Sequence, residues 1–257
     1  MSSPLILITN DDGIFSKGLR HLVKLINPIA KVVVVAPDSP QSAQSHAITI
    51  NQPITCEKID VDDGKQIDFI CSGTPVDCVK LALAEILDRK PDLCISGINH
   101  GSNSSINVIY SGTMSAAIEA GMEGIPAIGF SLLDYNWDAN FNPFKKYVKK
   151  ICSTVLKKGM KKGVVLNVNF PNSENNTIKG IKICQQAEAN WVEKFDKRQS
   201  PMGKDYYWLT GEFINYDKRK DTDEYALSKG YISIVPIQFD LTAHNYIDEL
   251  KNWKLND

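Results

Sequence analysis

Residues Leu5-Ile6-Leu7-Ile8-Thr9-Asn10-Asp11-Asp12-Gly13 decide how the chain is read. An unbroken apolar run from Leu5 to Ile8 fits a short strand covered on both faces, because a half-exposed strand would alternate. Two adjacent carboxylates follow at the strand's end. Like charges a few ångström apart repel unless a proton or a cation neutralises them. Carboxylate oxygens suit hard divalent cations such as Mg²⁺, Mn²⁺ or Ca²⁺. Gly13 lets the backbone turn sharply behind the pair. By itself the segment fits an Asp-Gly turn with solvated acids equally well.

Strands and helices alternate outward from that segment. Leu19, Leu22, Val23 and Ile26 recur at helical spacing, and Val32 to Val35 is a β-branched run that favours extended chain. Ile67 to Cys71 reads as a further strand. Thr74, Pro75 and Asp77 form the start signal of a helix running to Leu87: an N-cap, a first-turn proline and a capping-box acid. Pro91 opens the strand Leu93 to Ile95. Thr113 to Met122 reads as an alanine-rich helix, and Ala127 to Phe130 as a strand. Phe144, Tyr147, Val148, Ile151 and Val155 make one helical stripe ending at Gly159, and Val164 to Val168 closes the series. This order predicts a mostly parallel sheet with helices on both faces. Right-handed crossovers then gather the strand C-termini on one edge, where ligands bind in such folds.

The loops predicted at that edge are polar and small. They are Asp38 to Ser42, Ser72-Gly73-Thr74, Ser96 to Asn103, and Tyr110-Ser111-Gly112-Thr113. The last opens the alanine-rich helix, whose free N–H groups and dipole suit a phosphate. Each loop could be turn chemistry alone; their convergence favours a site.

From about Asn172 the pattern changes. Residues 185–230 are polar and aromatic, with Tyr206 to Leu209 before Thr210-Gly211 read as a hairpin arm. Tyr231 to Val235 reads as one more strand, and Tyr246, Leu250 and Trp253 as a terminal helix. An aromatic arm outside a core suits a subunit contact. The resulting division is a catalytic core over 1–175 and an extension over 176–257 that completes one domain.

Bulk properties exclude several classes. The 257 residues carry a formal net charge of −1, so there is no basic footprint for nucleic acid. No apolar stretch approaches membrane-spanning length, and the N-terminal apolar run is too short and too quickly acidic for a leader, which points to the cytoplasm. The six cysteines, Cys56, Cys71, Cys78, Cys94, Cys152 and Cys184, make no C-x-x-C pair and read as small buried hydrophobes. Eight lysines between Lys145 and Lys162 lie opposite the apolar stripe and read as a solvated face. An anion-binding face is the alternative.

Taken together, Asn10-Asp11-Asp12-Gly13, Ala36-Pro37-Asp38 with Ser42, Ser72-Gly73-Thr74-Pro75-x-Asp77-Cys78-Val79, Ser96-Gly97-Ile98-Asn99-x-Gly101-x-Asn103 and Tyr110-Ser111-Gly112-Thr113 resemble the SurE family of 5'-nucleotidases. Leu166-Asn167-Val168-Asn169 and Gly230-Tyr231-Ile232-Ser233 extend the likeness into the last third. The resemblance implies a Rossmann-like three-layer α/β sandwich with a hairpin arm and terminal helix used in oligomerisation. It implies one divalent cation per subunit, Mg²⁺ or Mn²⁺, held by Asp11, Asp12, Ser42 and Asn99. Asp11, Asp12 and Asn99 would carry the catalysis. Asn10, Ser42, Gly101, Asn103, Ser111, Gly112 and Thr113 would line the phosphate and substrate. The implied substrates are nucleoside 5'- and 3'-monophosphates, with polyphosphate shortened by some members, and the implied assembly is a homodimer or homotetramer. The chain departs from the family pattern at Ala43 and Ser105, where glycines are usual, and at Met114-Ser115, where Val-Gly is common.

The expected chemistry is metal-assisted hydrolysis of a phosphomonoester by water. An aspartyl-phosphate route is disfavoured, because haloacid-dehalogenase enzymes space their two aspartates by one residue. A nucleotide sensor on a similar sheet is the non-enzyme alternative, weakened by the lack of G-x-G-x-x-G after the first strand. His100 adjoins Asn99 and is a candidate for proton transfer; His21 is expected on the surface and His244 in a structural hydrogen bond.

Overall fold

A computed structural model describes residues 3–172, 178–253 and 255. The predicted division at 175/176 falls in 173–177, outside the described residues. The strands are β1 (Leu5–Thr9), β2 (Lys31–Pro37), β3 (Cys56–Ile59), β4 (Ile67–Cys71), β5 (Leu93–His100), β6 (Ala127–Leu132), β7 (Val164–Phe170), β8 (Ile181–Ile183), β9 (Ala189–Gln199), β10 (Asp205–Asn215) and β11 (Ile232–Gln238). The helices are α1 (Lys17–Ile26), α2 (Pro75–Leu81), α3 (Asn107–Tyr110), α4 (Gly112–Met122), α5 (Lys145–Lys158), α6 (Asp223–Ser228) and α7 (Ile247–Lys251). One sheet runs β3-β4-β2-β1-β5-β6-β7-β11-β8. The contiguous block β4-β2-β1-β5-β6-β7 is parallel; β3 and β11 pair antiparallel to their neighbours β4 and β7.

The two-residue side-chain period of each strand divides the core into two layers. Ile6 and Ile8 of β1, with Val32 and Val34 of β2, join the layer under α1 and α5. Leu5 and Leu7, with Val33 and Val35, join the layer under α2 and α4. Both faces of these strands are therefore dry, which is why their sequences are unbroken apolar runs.

Local signals set the helix ends. Ser16 caps α1, its Oγ accepting from Leu19 N–H. The capping box of α2 is reciprocal: Asp77 N–H donates to Thr74 Oγ1 at 3.1 Å and Thr74 N–H to Asp77 Oδ2 at 2.9 Å. A π-helical turn, Ala82–Ile86, continues α2 to the expected end near Leu87. Gly159 closes α5 with φ +69°. The α5 lysines are exposed opposite buried Val148, Ile151, Cys152 and Val155, as a solvated face requires. All six cysteines are free thiols, and Cys56 alone among them is half-buried rather than buried.

The hairpin arm read at Tyr206 to Leu209 lies in β10, the turn from β9 falls at Ser200–Lys204, and Thr210-Gly211 continues the strand, with Thr210 paired to Lys194 and Gly211 to Glu193. One expectation needs correction. His21 is half-buried rather than a surface residue: its ring packs 5.8 Å from that of Phe141. Burial, reinforced by the charges of Lys145 and Lys24, pushes its pKa down to about 4. The sequence reading contains no counterpart of β3, β8, α3 or α6.

Candidate active site at the carboxyl edge of the sheet

The chain turns at the end of β1 because Asn10 folds it. Asn10 is fully buried, and its Nδ2 donates to Gly13 O at 3.0 Å and to Ser16 Oγ at 2.7 Å. Gly13 takes φ +94° and lies against the backbone of Pro37 and Ser39. Ile14 N–H donates to Pro37 O at 2.9 Å, and Gln41 N–H to Asp11 O at 2.7 Å. The loops after β1 and β2 are thus tied backbone to backbone, and Ser42, exposed, follows directly on Gln41.

Asp11 is 5% exposed and points at the start of α4. Thr113 Oγ1 donates to its Oδ1 at 2.5 Å. The bare Cα of Gly112 permits this approach: a Cβ there would stand 2.9 Å from Asp11 Cβ and 3.1 Å from Oδ2. Ser111 caps the helix, its Oγ accepting from Met114 N–H at 3.0 Å. Burial and then the Asp12 charge push the Asp11 pKa up to about 6, against the pull of Thr113. Burial raises Asp12 to about 6 as well, opposed by His100 N–H, which donates to its Oδ2 at 3.3 Å.

The end of β5 reaches this pair through an irregularity. Pairing between β5 and β6 shifts register between Ser96 and Asn99, and the Gly97-Ile98 peptide is cis. Asn99 Nδ2 donates to Gly101 O at 2.9 Å, which fixes the amide's orientation. Gly101 in turn donates to Leu132 O at 2.9 Å. α1 packs directly on this segment because Gly18 has no side chain; a Cβ would fall 2.0 Å from Ile98 O.

Asp11, Gly112 and Thr113 therefore meet directly, and the backbone of His100, next to Asn99, reaches Asp12, with Ser111 shaping the helix entry. Asn10 sits behind the acids as a turn-forming residue. Asn103 is buried in a polar network. Its N–H donates to Asn169 Oδ1 at 2.8 Å, its Nδ2 to Ser131 Oγ at 2.7 Å, and its carbonyl accepts from Asn167 Nδ2 at 2.8 Å. Asp223 Oδ2 accepts Ser105 N–H at 2.8 Å, and Ser104 Oγ donates to Glu224. This network holds the 101–105 loop. Sequence reasoning took Asn167 and Asn169 only as part of a likeness. Two amides alternating inside an apolar strand were the available signal. The His100 ring is held between Trp137 and Phe141, and its Nδ1 lies 3.0 Å from Asn136 O, so its backbone N–H, not its ring, meets Asp12.

A second support was missed. Glu119, 3% exposed, is the lone acid of α4 and takes Lys80 Nζ at 2.6 Å and His46 Nε2 at 2.8 Å. Asp77 accepts Thr49 N–H at 3.1 Å, and Thr74 Oγ1 donates to Ala47 O at 2.8 Å. Together they pin the long loop that carries Ser42. Ala43 and Ser105, at the two positions where the family pattern has glycine, take φ +58° and +52°. The pattern's glycines thus mark left-handed backbone that this chain fills with small residues.

The donor set fits a hard cation. Two carboxylates lie together, and among the described residues no lysine, arginine or histidine pairs with either. No cluster of three or more His, Cys, Asp or Glu side chains suited to a metal occurs among the described residues. A metal here would therefore depend on neutral oxygens such as those of Asn99 and Ser42.

The family model "Survival protein SurE" matches residues 6–193. A Flavobacterium psychrophilum protein named 5'-nucleotidase SurE is 66% identical over 256 residues, covering 100% of both chains. A protein of the same name from Flavobacterium johnsoniae is 65% identical over 98% of each. The crystal structure of the SurE protein from Aquifex aeolicus superposes with a TM-score of 0.83 at 37% identity, covering 97% of this chain and 99% of that one. On a family model matched over residues 6–193 and full-length identity to these relatives, the chain belongs to the SurE family.

Proposed function

We propose that the chain is a divalent-metal-dependent phosphatase that releases phosphate from nucleoside monophosphates. That it is a nucleotidase follows from full-length identity to relatives bearing that name. The observation that carries the metal reading is the Asp11–Asp12 pair with no cationic partner among the described residues, Asp11 set against the start of α4 and Asp12 against the end of β5. Asp11, Asp12, Ser42 and Asn99 are the residues that would hold the ion. When bound, Mg²⁺ or Mn²⁺ supplies charge stabilisation to the phosphoryl oxygens and lowers the pKa of water.

The protein's own groups do the rest. Thr113 orients the Asp11 carboxylate, His100 N–H orients Asp12, and Gly101 O orients Asn99. The first turn of α4 offers N–H groups and the positive end of an 11-residue helix to an anion. Both 5'- and 3'-monophosphates fit this account, since only the phosphoryl group meets these residues; short polyphosphate is a further candidate. Residues 1–175 carry the acids and the helix entry. Residues 176–257 hold the 101–105 loop through Asp223 and Glu224 and present exposed Phe195, Tyr207, Trp208 and Leu209 for assembly as a homodimer or homotetramer. Among the described residues no helix is long and apolar enough to cross a membrane; a cytoplasmic location is part of the proposal.

Phosphate release from a panel of 5'- and 3'-mononucleotides and polyphosphates, with metal-stripped and Mg²⁺- or Mn²⁺-loaded protein, tests this. Turnover that needs added metal supports the reading. Nucleotide binding without phosphate release would make the chain a sensor.

A further inference from the structure

The segment from Asp134 to Phe141 joins β6 to α5 and closes over the strand end that carries His100. Asp134 Oδ1 folds it back, accepting Asn136 N–H and Nδ2, both at 2.9 Å. The turn leaves two large aromatic residues in solvent, Tyr135 at 70% and Trp137 at 62% exposure. Neither is loose. The Trp137 ring stacks on His100, centroids 5.9 Å apart and 12° from parallel. Phe141 backs His100 edge-on at 5.3 Å. The backbone N–H of that same His100 donates to Asp12. The Tyr135 ring lies over Gly101, where a Cβ would meet it at 2.5 Å, and Gly101 O holds Asn99.

Two braced, outward-facing rings thus stand one residue away from two of the proposed cation ligands. The phosphate seat contains only carboxylates, hydroxyls, an amide and backbone N–H groups, none of which distinguishes a nucleotide from another phosphomonoester. An aromatic face does, because every base has a π-face to stack. We infer that Trp137, supported by Tyr135, is the nucleobase subsite. The outward face of the indole stacks on the base of a mononucleotide whose phosphoryl group lies against Asp11, Asp12 and the start of α4. The larger ring system of a purine covers more of the indole than a pyrimidine does, so purine mononucleotides are the preferred class. This inference rests on the nucleotidase reading.

The test compares kcat/KM for a purine mononucleotide, a pyrimidine mononucleotide and ribose 5-phosphate, which keeps the phosphate and lacks the base. The metal-loaded protein is used with Trp137→Ala, Trp137→Phe and Tyr135→Ala. Trp137→Ala should lower the purine-to-ribose-5-phosphate ratio about tenfold, the size of one lost base stack, chiefly through KM. Trp137→Phe should recover most of it, and Tyr135→Ala should lower it less. Quenching of tryptophan fluorescence by the purine mononucleotide gives a second readout: it should disappear in Trp137→Phe although Trp191, Trp208 and Trp253 remain. An unchanged ratio in Trp137→Ala, or full quenching in Trp137→Phe, overturns the inference while leaving the phosphatase intact. A native protein that hydrolyses ribose 5-phosphate as well as any mononucleotide also overturns it. Failure to release phosphate from every ester would instead overturn the reading beneath it.

Discussion

The hydroxyl of Thr113 lies 2.5 Å from Asp11 Oδ1, joining the first turn of α4 to the acid that ends β1. These residues are 102 positions apart in the chain. The contact fixes one carboxylate oxygen and pulls the Asp11 pKa down against burial and the Asp12 charge. Replacing Thr113 by valine keeps the shape and removes the donor. Turnover should fall at least about tenfold, a hydrogen bond to a charged group contributing roughly 1.5–3 kcal/mol. Thr113→Ser should retain most of the activity. Steady-state rates with circular dichroism on both variants check this; full activity in the valine variant would remove the positioning role.

The paired acids should make the metal-free fold sensitive to pH. Their pKa values rise from 3.8 to about 6, so the folded chain holds these protons more tightly than the unfolded chain. Their favourable contribution is complete below about pH 4 and is lost as pH rises through about 6. Asp223 and Glu224 are raised by burial too, so the informative quantity is a difference between variants. Asp11→Asn should stabilise the metal-free chain near pH 7.5 by about 1–3 kcal/mol, and by much less near pH 4.5. Thermal melts at both pH values give the answer; equal shifts at the two would contradict it.

Ala43 and Ser105 share a left-handed backbone but should respond oppositely to glycine. At Ala43, φ +58°, glycine relieves a strained backbone, partly offset by greater unfolded-chain freedom, for a gain of up to about 1 kcal/mol. At Ser105 the hydroxyl donates to Ala187 O at 2.8 Å and accepts from Ala189 N–H at 3.1 Å, wholly buried. Losing it should cost about 1–3 kcal/mol, more than the relief. Denaturant midpoints of Ala43→Gly and Ser105→Gly should therefore move in opposite directions.

Gly112 should prove a functional glycine despite its ordinary helical position. A methyl group there would press to 2.9 Å of Asp11 Cβ. Gly112→Ala should displace the carboxylate, lowering metal affinity and turnover, while alanine's helix preference, about 1 kcal/mol over glycine, offsets part of any loss of fold stability. Metal titration beside a thermal melt separates the two effects.

Much of the parallel core was legible because β1, β2 and β5 are buried on both faces, and burial on both faces writes unbroken apolar runs. The capping box of α2 was legible because Thr74 and Asp77 act within one turn. The Asp11–Asp12 pair was legible as a candidate only together with the polar loops at the same edge, because an Asp-Gly turn with solvated acids reads the same; the burial of Asp11 against Thr113 is visible only in the fold. What stayed hidden depends on distance in sequence. Glu119 holding His46 and Lys80, Asp223 holding Ser105, and Gly18 beneath Ile98 are each contacts between separate elements. The hairpin arm at Tyr206 to Leu209 was legible from its aromatic run, but its length was not, because Thr210-Gly211 has turn composition and the eleven-residue ladder between β9 and β10 carries the strand through it.

Manganese titration of the metal-stripped protein, followed by electron paramagnetic resonance, tests the central claim most directly: that a cation is held by Asp11 and Asp12. The account predicts one Mn²⁺ site per chain in the native protein and its loss in Asp11→Asn and in Asp12→Asn, with each variant still folded. Unaltered Mn²⁺ binding by the double variant Asp11→Asn, Asp12→Asn would contradict it.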